Sequence, residues 1–411
     1  MLIFSERLAY IVLCKRTISF FNFIREVFLL KRSDVAVLGA GITGLSIAWH
    51  LLQRGVKSVT LYEKAGVGAG ATAVAPGGVR LQWGTRVNCE MSRESLDFFQ
   101  QINERLDPKR PVVFRSTGYL FLAYSDSALK QLSANVALQH EYDIPSRLVE
   151  AHELHDIVPS LATDGAVGGS YCPLDGYFDD PQAVVAAFAE AVTRAGVKIV
   201  QEEVVGLEPR AGGWRMALRS GGVAEAEHVA VATGYDTPAL LQSLDVALNI
   251  QRVSRWLFYS EPLDQRVVEP LVISSRSGLA IRQTAGGAIM MGWLDDRVGR
   301  DGQKPDEAAW LRRAAEAASR LIPALAGTKF VRAVPGAYDV TPDYQAVLGP
   351  VPGFERLWLA VGTSGHGFMI APAVGRRIAA LIAGDEPDEA VKTLAFERFE
   401  TGKLVPEPQV I

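Results

Sequence analysis

A chain of 411 residues with 48% hydrophobic content can bury a sizeable core and is long enough for two interleaved domains. Its 42 basic and 46 acidic residues give a formal net charge of −4 with no basic stripe, which argues against a nucleic-acid partner. Cys14, Cys89 and Cys172 are widely separated and odd in number, so they offer neither a disulfide framework nor a zinc knuckle and fit a reducing, cytoplasmic compartment.

Residues 1–30 stand apart from the rest. Their apolar runs are interrupted by Lys15, Arg16, Arg25 and Glu26, so none approaches the length of a membrane span, and no small-residue cleavage site follows an unbroken apolar core. Basic residues interleaved with aromatic and aliphatic ones suit a helix lying on a membrane surface or a transit-like segment. An extension from an upstream start codon fits equally well.

Residues 35–44 read VAVLGAGITG, an apolar strand running into a GxGxxG fingerprint, and the next apolar run, VTLYE, closes on Glu63. This is the pattern of a dinucleotide-binding βαβ unit. Gly39 makes the tight turn, Gly41 admits a pyrophosphate to the backbone, and Gly44 allows close helix packing, with Ala40, Ile42 and Thr43 completing the loop. Glu63, followed by Lys64, is placed to bind a ribose. The helix spans 43–54 and stops at Gly55, and the second strand covers 56–62. A second permissive stretch follows, with Gly70, Ala71 and Thr72, then Gly78, Val79 and Arg80.

Further along, residues 87–106 read as one long amphipathic helix and 112–124 as strand. His152 and His155 share a helix face, and with no completing carboxylate or cysteine a surface helix is the better reading than a metal site. Asp180 caps a helix with Pro181 in its first turn, Gly196 stops it, and 197–200 forms a strand. HVAVATG at 228–234 reads as a buried parallel strand ending at Gly234, where sheet ligands bind. Antiparallel strands are expected at 252–260, 278–283 and 288–293, then an Ala-rich helix at 306–321, with the chain rejoining the first unit from Phe330 onward. GTSGHGF at 362–368 leads into a long helical pattern. A hydrolase elbow around Ser364 is ruled out because His366 stands where its last glycine must be.

Together with DGYFDDP at 175–181 and DVTPDYQAVLGP at 339–350, these motifs resemble the amine-oxidising FAD-dependent oxidoreductases, typified by D-amino-acid oxidase, sarcosine oxidase, glycine oxidase and the L-proline dehydrogenase β-subunit. The resemblance covers residues 33–388. It implies an α/β chain, α+β overall: a Rossmann-like FAD-binding domain with a parallel sheet (31–110, 175–247 and 330–411) and a substrate domain on a mostly antiparallel sheet (111–174 and 248–329). It also implies FAD contacts from Val204 and Val205 on the adenine side, and from Gly362, Gly365, His366, Gly367, Phe368 and Met369 beside the flavin. No cysteine lies near the final helix and no histidine in the 66–78 stretch, so FAD is expected to bind noncovalently.

Reduced flavin gathers negative charge near N1 and C2, which a helix N-terminus stabilises, and the GTSGHGF turn supplies one. There is one GxGxxG in the chain, so the reductant is expected to be a small amine or amino acid, oxidised to an imine, and not a nicotinamide. The electron acceptor stays open among a quinone, an electron-transfer partner and oxygen. Monomeric sarcosine oxidase has a lysine after HGF whereas this chain has Met369, like the proline dehydrogenase β-subunit, which favours a dehydrogenase over an oxidase. Arg80 is the leading residue for the substrate carboxylate, with Arg252, Arg255 and Arg282 behind it and Tyr259 and Tyr338 weaker still. Arg80 and His366 are the expected catalytic-site side chains. The GGVRLQW segment and SGHG turn also resemble a respiratory-complex assembly flavoprotein, so a scaffold with structural FAD is the rival reading.

Overall fold

The computed structural model describes residues 32–293 and 306–409; the expectations for residues 1–30 and for Cys14 lie outside this range. The chain opens with strand Ser33–Leu38, helix α1 (Ile42–Gln53) and strand Val59–Glu63. Val35, Val37, Leu45, Ile47 and Leu51 are buried together, so the strand and the apolar face of α1 share one core. Gly55 adopts φ +80° and ends the helix in the left-handed region. Strand pairing starts only at Val59, because Val56 turns back to bond the Leu51 carbonyl.

Ser33–Leu38 sits between Val59–Glu63 and Val223–Val231, parallel to both, and Lys198–Gln201 and Phe354–Val361 extend the parallel set. Val204–Arg210, Gly213–Leu218 and Val347–Val351 add antiparallel edges, giving an eight-stranded mixed sheet. A second eight-stranded sheet is antiparallel except where Leu271–Ser274 runs alongside Tyr119–Ala123. Its outer strand is Phe330–Val340, which pairs along its length with Gln251–Pro262. The expected return at Phe330 is therefore corrected: the chain re-enters the first sheet only after Val340. The 87–106 pattern is also corrected, to helix α2 (Arg86–Gln100) and a short helix Ile102–Leu106, broken at Gln101.

Helix α3 (Gly367–Ile382) packs on both α1 and α2. At Gly375 a Cβ would lie 2.2 Å from the Ser46 hydroxyl, so glycine there sets how closely α1 and α3 approach. On the other side Arg377, 1% exposed, pairs with Glu90 and Glu94 at 2.6 Å each and with Asp388 at 2.9 Å, while Arg376 pairs with Glu94. The N-terminus of α3 is thereby aimed at the C-terminal edge of the parallel strands. Among the described residues, no helix is long and apolar enough to cross a membrane.

Candidate active site

A cleft of about 500 Å³ runs along that edge, from the first βαβ unit to the second sheet. At one end it is lined by Gly39, Gly41, Ile42, Thr43, Glu63 and Lys64. Gly39 has φ +99°, and a Cβ there would meet the Ala232 carbonyl at 2.5 Å. Gly44 is off the cleft: a Cβ would overlap the Gly39 carbonyl at 1.9 Å, so its task is the packing of α1 on the turn. Helix α1 begins at Gly41 with no cap from that residue and no acidic residue in its first turn; Ile42 N–H reaches the Thr72 hydroxyl at 3.3 Å, and no first-turn carboxylate opposes an anion at this positive end. Ala40 lies behind this wall, where its N–H donates to one Glu63 oxygen and Ala65 N–H donates to the other, both at 2.9 Å.

Gly70, Ala71, Thr72 and Gly78 continue the wall, and Val204, Val205 and Gly234 close the side beyond the sheet, while Val79 is fully buried next to Gly78. Two ion pairs of lining residues flank this end: Lys64 with Asp236 at 2.7 Å and Arg219 with Glu203 at 2.9 Å. The Asp236 bond raises the Lys64 pKa.

At the other end the cleft is lined by Gly365, Gly367, Phe368 and Met369 from the start of α3, and by Arg255, Trp256, Leu257 and Tyr338 from the second sheet. Gly365 has φ +92°, and a Cβ would press into the Tyr338 ring at 2.5 Å. Gly362 is off the wall, with φ +67° and its Cβ direction blocked by Thr341. Asp339 organises the turn: its carboxylate accepts from Thr363 N–H and Ser364 N–H at 3.1 Å and from the Thr363 hydroxyl at 3.2 Å. Burial pushes the Asp339 carboxyl up and these bonds pull it back. The DVTPDY stretch marked the region in sequence, but its role as clasp of a turn 24 residues away leaves no local pattern.

The candidate basic residues separate. Arg255 is 8% exposed, faces the cleft and lies over Tyr338 at 5.1 Å. Arg252, of opposite parity on the same strand, is exposed and lies over Tyr235. Arg282 is buried behind the wall, over the Tyr177 ring at 3.8 Å; one terminal nitrogen donates to the Pro76 carbonyl and its other two nitrogens have no hydrogen-bond partner. Burial lowers its pKa.

Arg80 is wholly buried and is not among the lining residues. Its guanidinium donates to the carbonyls of Gln82 (2.8 Å) and Gln409 (2.6 Å) and stacks on Trp83 at 3.6 Å. Burial depresses its pKa to about 10. Both terminal nitrogens are taken by protein carbonyls, so the structure gives Arg80 no direct route to a ligand in the cleft. His366 likewise points away from the cleft, edge-on to Trp83 at 4.4 Å, with Nε2 unpartnered; burial, then Arg80, hold its pKa well below the usual value. Beneath them Asp175 accepts from Leu81 N–H (2.6 Å) and Gln82 Nε2 (2.9 Å), and burial lifts its pKa to about 7. Tyr259 is half-buried and off the wall. His152 is exposed beside Glu150 and His155 meets Thr163; among the described residues no cluster of histidine, cysteine, aspartate or glutamate could hold a metal.

The cradle fits an extended dinucleotide: glycines where side chains would fill the path, a helix start with no first-turn carboxylate, and a pinned acidic residue at the ribose position. Comparison with known proteins agrees. A family model described as FAD dependent oxidoreductase matches residues 34–381. The bovine (Bos taurus) protein described as FAD-dependent oxidoreductase domain-containing protein 1 is 27% identical over 92% of this chain and 87% of its own length. A glycine oxidase from Bacillus licheniformis is 26% identical, covering 90% of this chain and 97% of its own. The crystal structure of L-proline dehydrogenase from P. horikoshii superposes with a TM-score of 0.84 at 29% identity, over 91% of this chain and 99% of that one.

Proposed function

The chain belongs to the FAD-dependent oxidoreductase family, and from that premise we propose that it oxidises a small amino acid or secondary amine at the carbon beside nitrogen, giving an imine. The observation that carries this reading is Arg255, a nearly buried cation facing the cleft beside Tyr338 and the turn 362–367. A carboxylate entering so dry a place loses its hydration and needs a charge-assisted partner, and the Arg255 guanidinium, one nitrogen of which also donates to the Ser254 carbonyl at 3.1 Å, supplies the charge. Amino-acid substrates named for the glycine oxidase and proline dehydrogenase relatives agree with it.

FAD would be held noncovalently by Gly39, Gly41, Thr43, Glu63 and the start of α3, and would supply the two-electron acceptor for the hydride that the substrate carbon gives up as the nitrogen lone pair forms the C=N bond. The residues of this chain bind and orient. Arg255 and Tyr338 fix the acid end, Trp256 and Leu257 exclude water, and the N-terminus of α3 places positive potential where negative charge accumulates. Met369, on the cleft wall at the position where monomeric sarcosine oxidase has a lysine, supports a dehydrogenase passing electrons to a quinone or protein acceptor. The proposed division follows the two large sheets, with 32–110, 175–247 and the chain after Val340 holding FAD, and 111–174, 248–293 and 306–340 forming the substrate side.

Anaerobic addition of a panel of amino acids and N-methyl amines tests the reading: at least one should bleach the flavin absorbance, and the reduced protein should pass electrons to a dye faster than to oxygen. A yellow protein that no member of the panel bleaches would favour the rival, a scaffold flavoprotein.

A further inference from the structure

We propose that the segment 404–409 is part of the site's machinery, holding Arg80 as a fixed positive charge behind the turn that faces the flavin. The inference rests on the reading of the cleft as a flavin site. The segment is tied down by a buried polar net and not by apolar packing. Glu407, 4% exposed, accepts from Gly84 N–H (2.9 Å), the Thr85 hydroxyl (2.6 Å), Asn88 Nδ2 (2.8 Å) and Gln409 N–H (2.9 Å). Three of these donors lie at the start of α2, so a carboxylate more than 300 residues away sits beside the positive end of that helix. Asp343 anchors the approach, accepting from Val405 N–H at 3.2 Å and Glu407 N–H at 3.1 Å.

What the segment delivers is the Gln409 carbonyl, 2.6 Å from an Arg80 terminal nitrogen. Held there and from Gln82, the guanidinium lies over the Trp83 ring at 3.6 Å, Trp83 meets His366 edge-on at 4.4 Å, and the chain neighbours of His366, Gly365 and Gly367, line the cleft. A carbonyl holds a guanidinium without cancelling its charge, as a carboxylate would. Arg80 forms no ion pair among the described residues; the Glu407 and Asp175 carboxylates act on it through space, and its own charge in turn bears on His366 and Tyr338. A preorganised charge of this kind favours negative charge on a bound ring without touching it. Glu407, Gln409 and Arg80 are thus positioning residues.

Sulfite provides a test that needs no amine substrate, because it adds reversibly to oxidised flavin and leaves negative charge on the ring. In the FAD-loaded full chain, Arg80→Met, which removes the charge, and the pair Thr85→Val with Asn88→Ala, which loosens the segment while keeping the Glu407 carboxylate, should retain one FAD per chain and raise the sulfite dissociation constant about tenfold, below the 10²–10³ effects of direct donors. Lys403→Ala, on the exposed approach, should leave it unchanged. If Arg80→Met fails to fold, the Thr85→Val and Asn88→Ala pair decides. Sulfite affinity within about twofold of wild type, whatever happens to the melting temperature, would make the segment a brace only. Wild-type protein that forms no adduct would overturn the proposal as well. A protein that takes up sulfite but is bleached by no amine would instead count against the amine reading and leave this one standing.

Discussion

At its nucleotide end the cleft is built around one local unit, with Gly39, Gly41 and the first turn of α1 following within a few residues of each other and with Gly70, Gly78 and Gly234 adding further backbone wall. At its far end the wall is side chain, and Arg255, Tyr338 and Met369 arrive from two strands and a helix separated by dozens of residues. The first kind of site tolerates almost no added atom, because the ligand touches the main chain. The second kind tolerates substitution and changes what it recognises. A family can therefore keep the cofactor end and vary the substrate end.

The severest break of that contrast is at Gly41. Valine there would place its Cβ about where Thr72 Oγ1 is now 3.0 Å away and extend two methyls into the cleft. Purified Gly41→Val should be colourless and fail to recover FAD by dialysis, whereas wild type should be yellow and release its flavin on acid precipitation. At the other end Arg255→Met should keep the flavin but weaken an amino-acid substrate by about 2 to 5 kcal/mol, with a much smaller loss for an uncharged amine of the same shape. Arg80→Met should weaken both alike, since its nitrogens serve protein carbonyls; a loss confined to the carboxylate substrate would return Arg80 to the role of anchor. Steady-state KM values for the paired substrates decide between them.

Asp339→Asn lies between the two ends. It removes the ionised acceptor for three donors of the turn 363–364, and a loss of about 1 to 3 kcal/mol in urea unfolding is expected. The smallest effect belongs to Lys64→Ala. That ion pair is roughly half exposed, so stability should change by less than about 1 kcal/mol and FAD titration should barely move. A larger shift would mean that the adenine end depends on side chains after all.

The same contrast explains what could be read from the sequence. Gly39, Gly44 and Glu63 act within one βαβ unit, where spacing alone dictates geometry, and the flanking strands and α1 follow from periodicity. Strand alternation implied that some of Arg252, Arg255 and Arg282 point away from the cleft, without saying which. Arg80 is the instructive misplacement. Its position after a glycine cluster set it near the cofactor, but its partner carbonyl belongs to Gln409, and no periodicity links residues 329 apart. Asp339, Asp175 and Glu407 were missed for the same reason: each is a buried acid whose donors come from distant loops. Phe330–Val340 was assigned to the wrong sheet because an amphipathic strand pattern does not name its neighbour.

The charges that grip α3 near its far end bear on how the protein meets heat. Dehydrating an ion becomes less unfavourable as temperature rises, while apolar burial per unit area levels off, so linked ion pairs lose less of their hold on warming than the surrounding core does. Arg377 with Glu90, Glu94 and Asp388 forms such a cluster, behind the helix whose opposite end meets the cofactor. Warming should consequently loosen the glycine turn while the rear of the helix stays seated, and the yellow colour should leave the protein before its helical signal does.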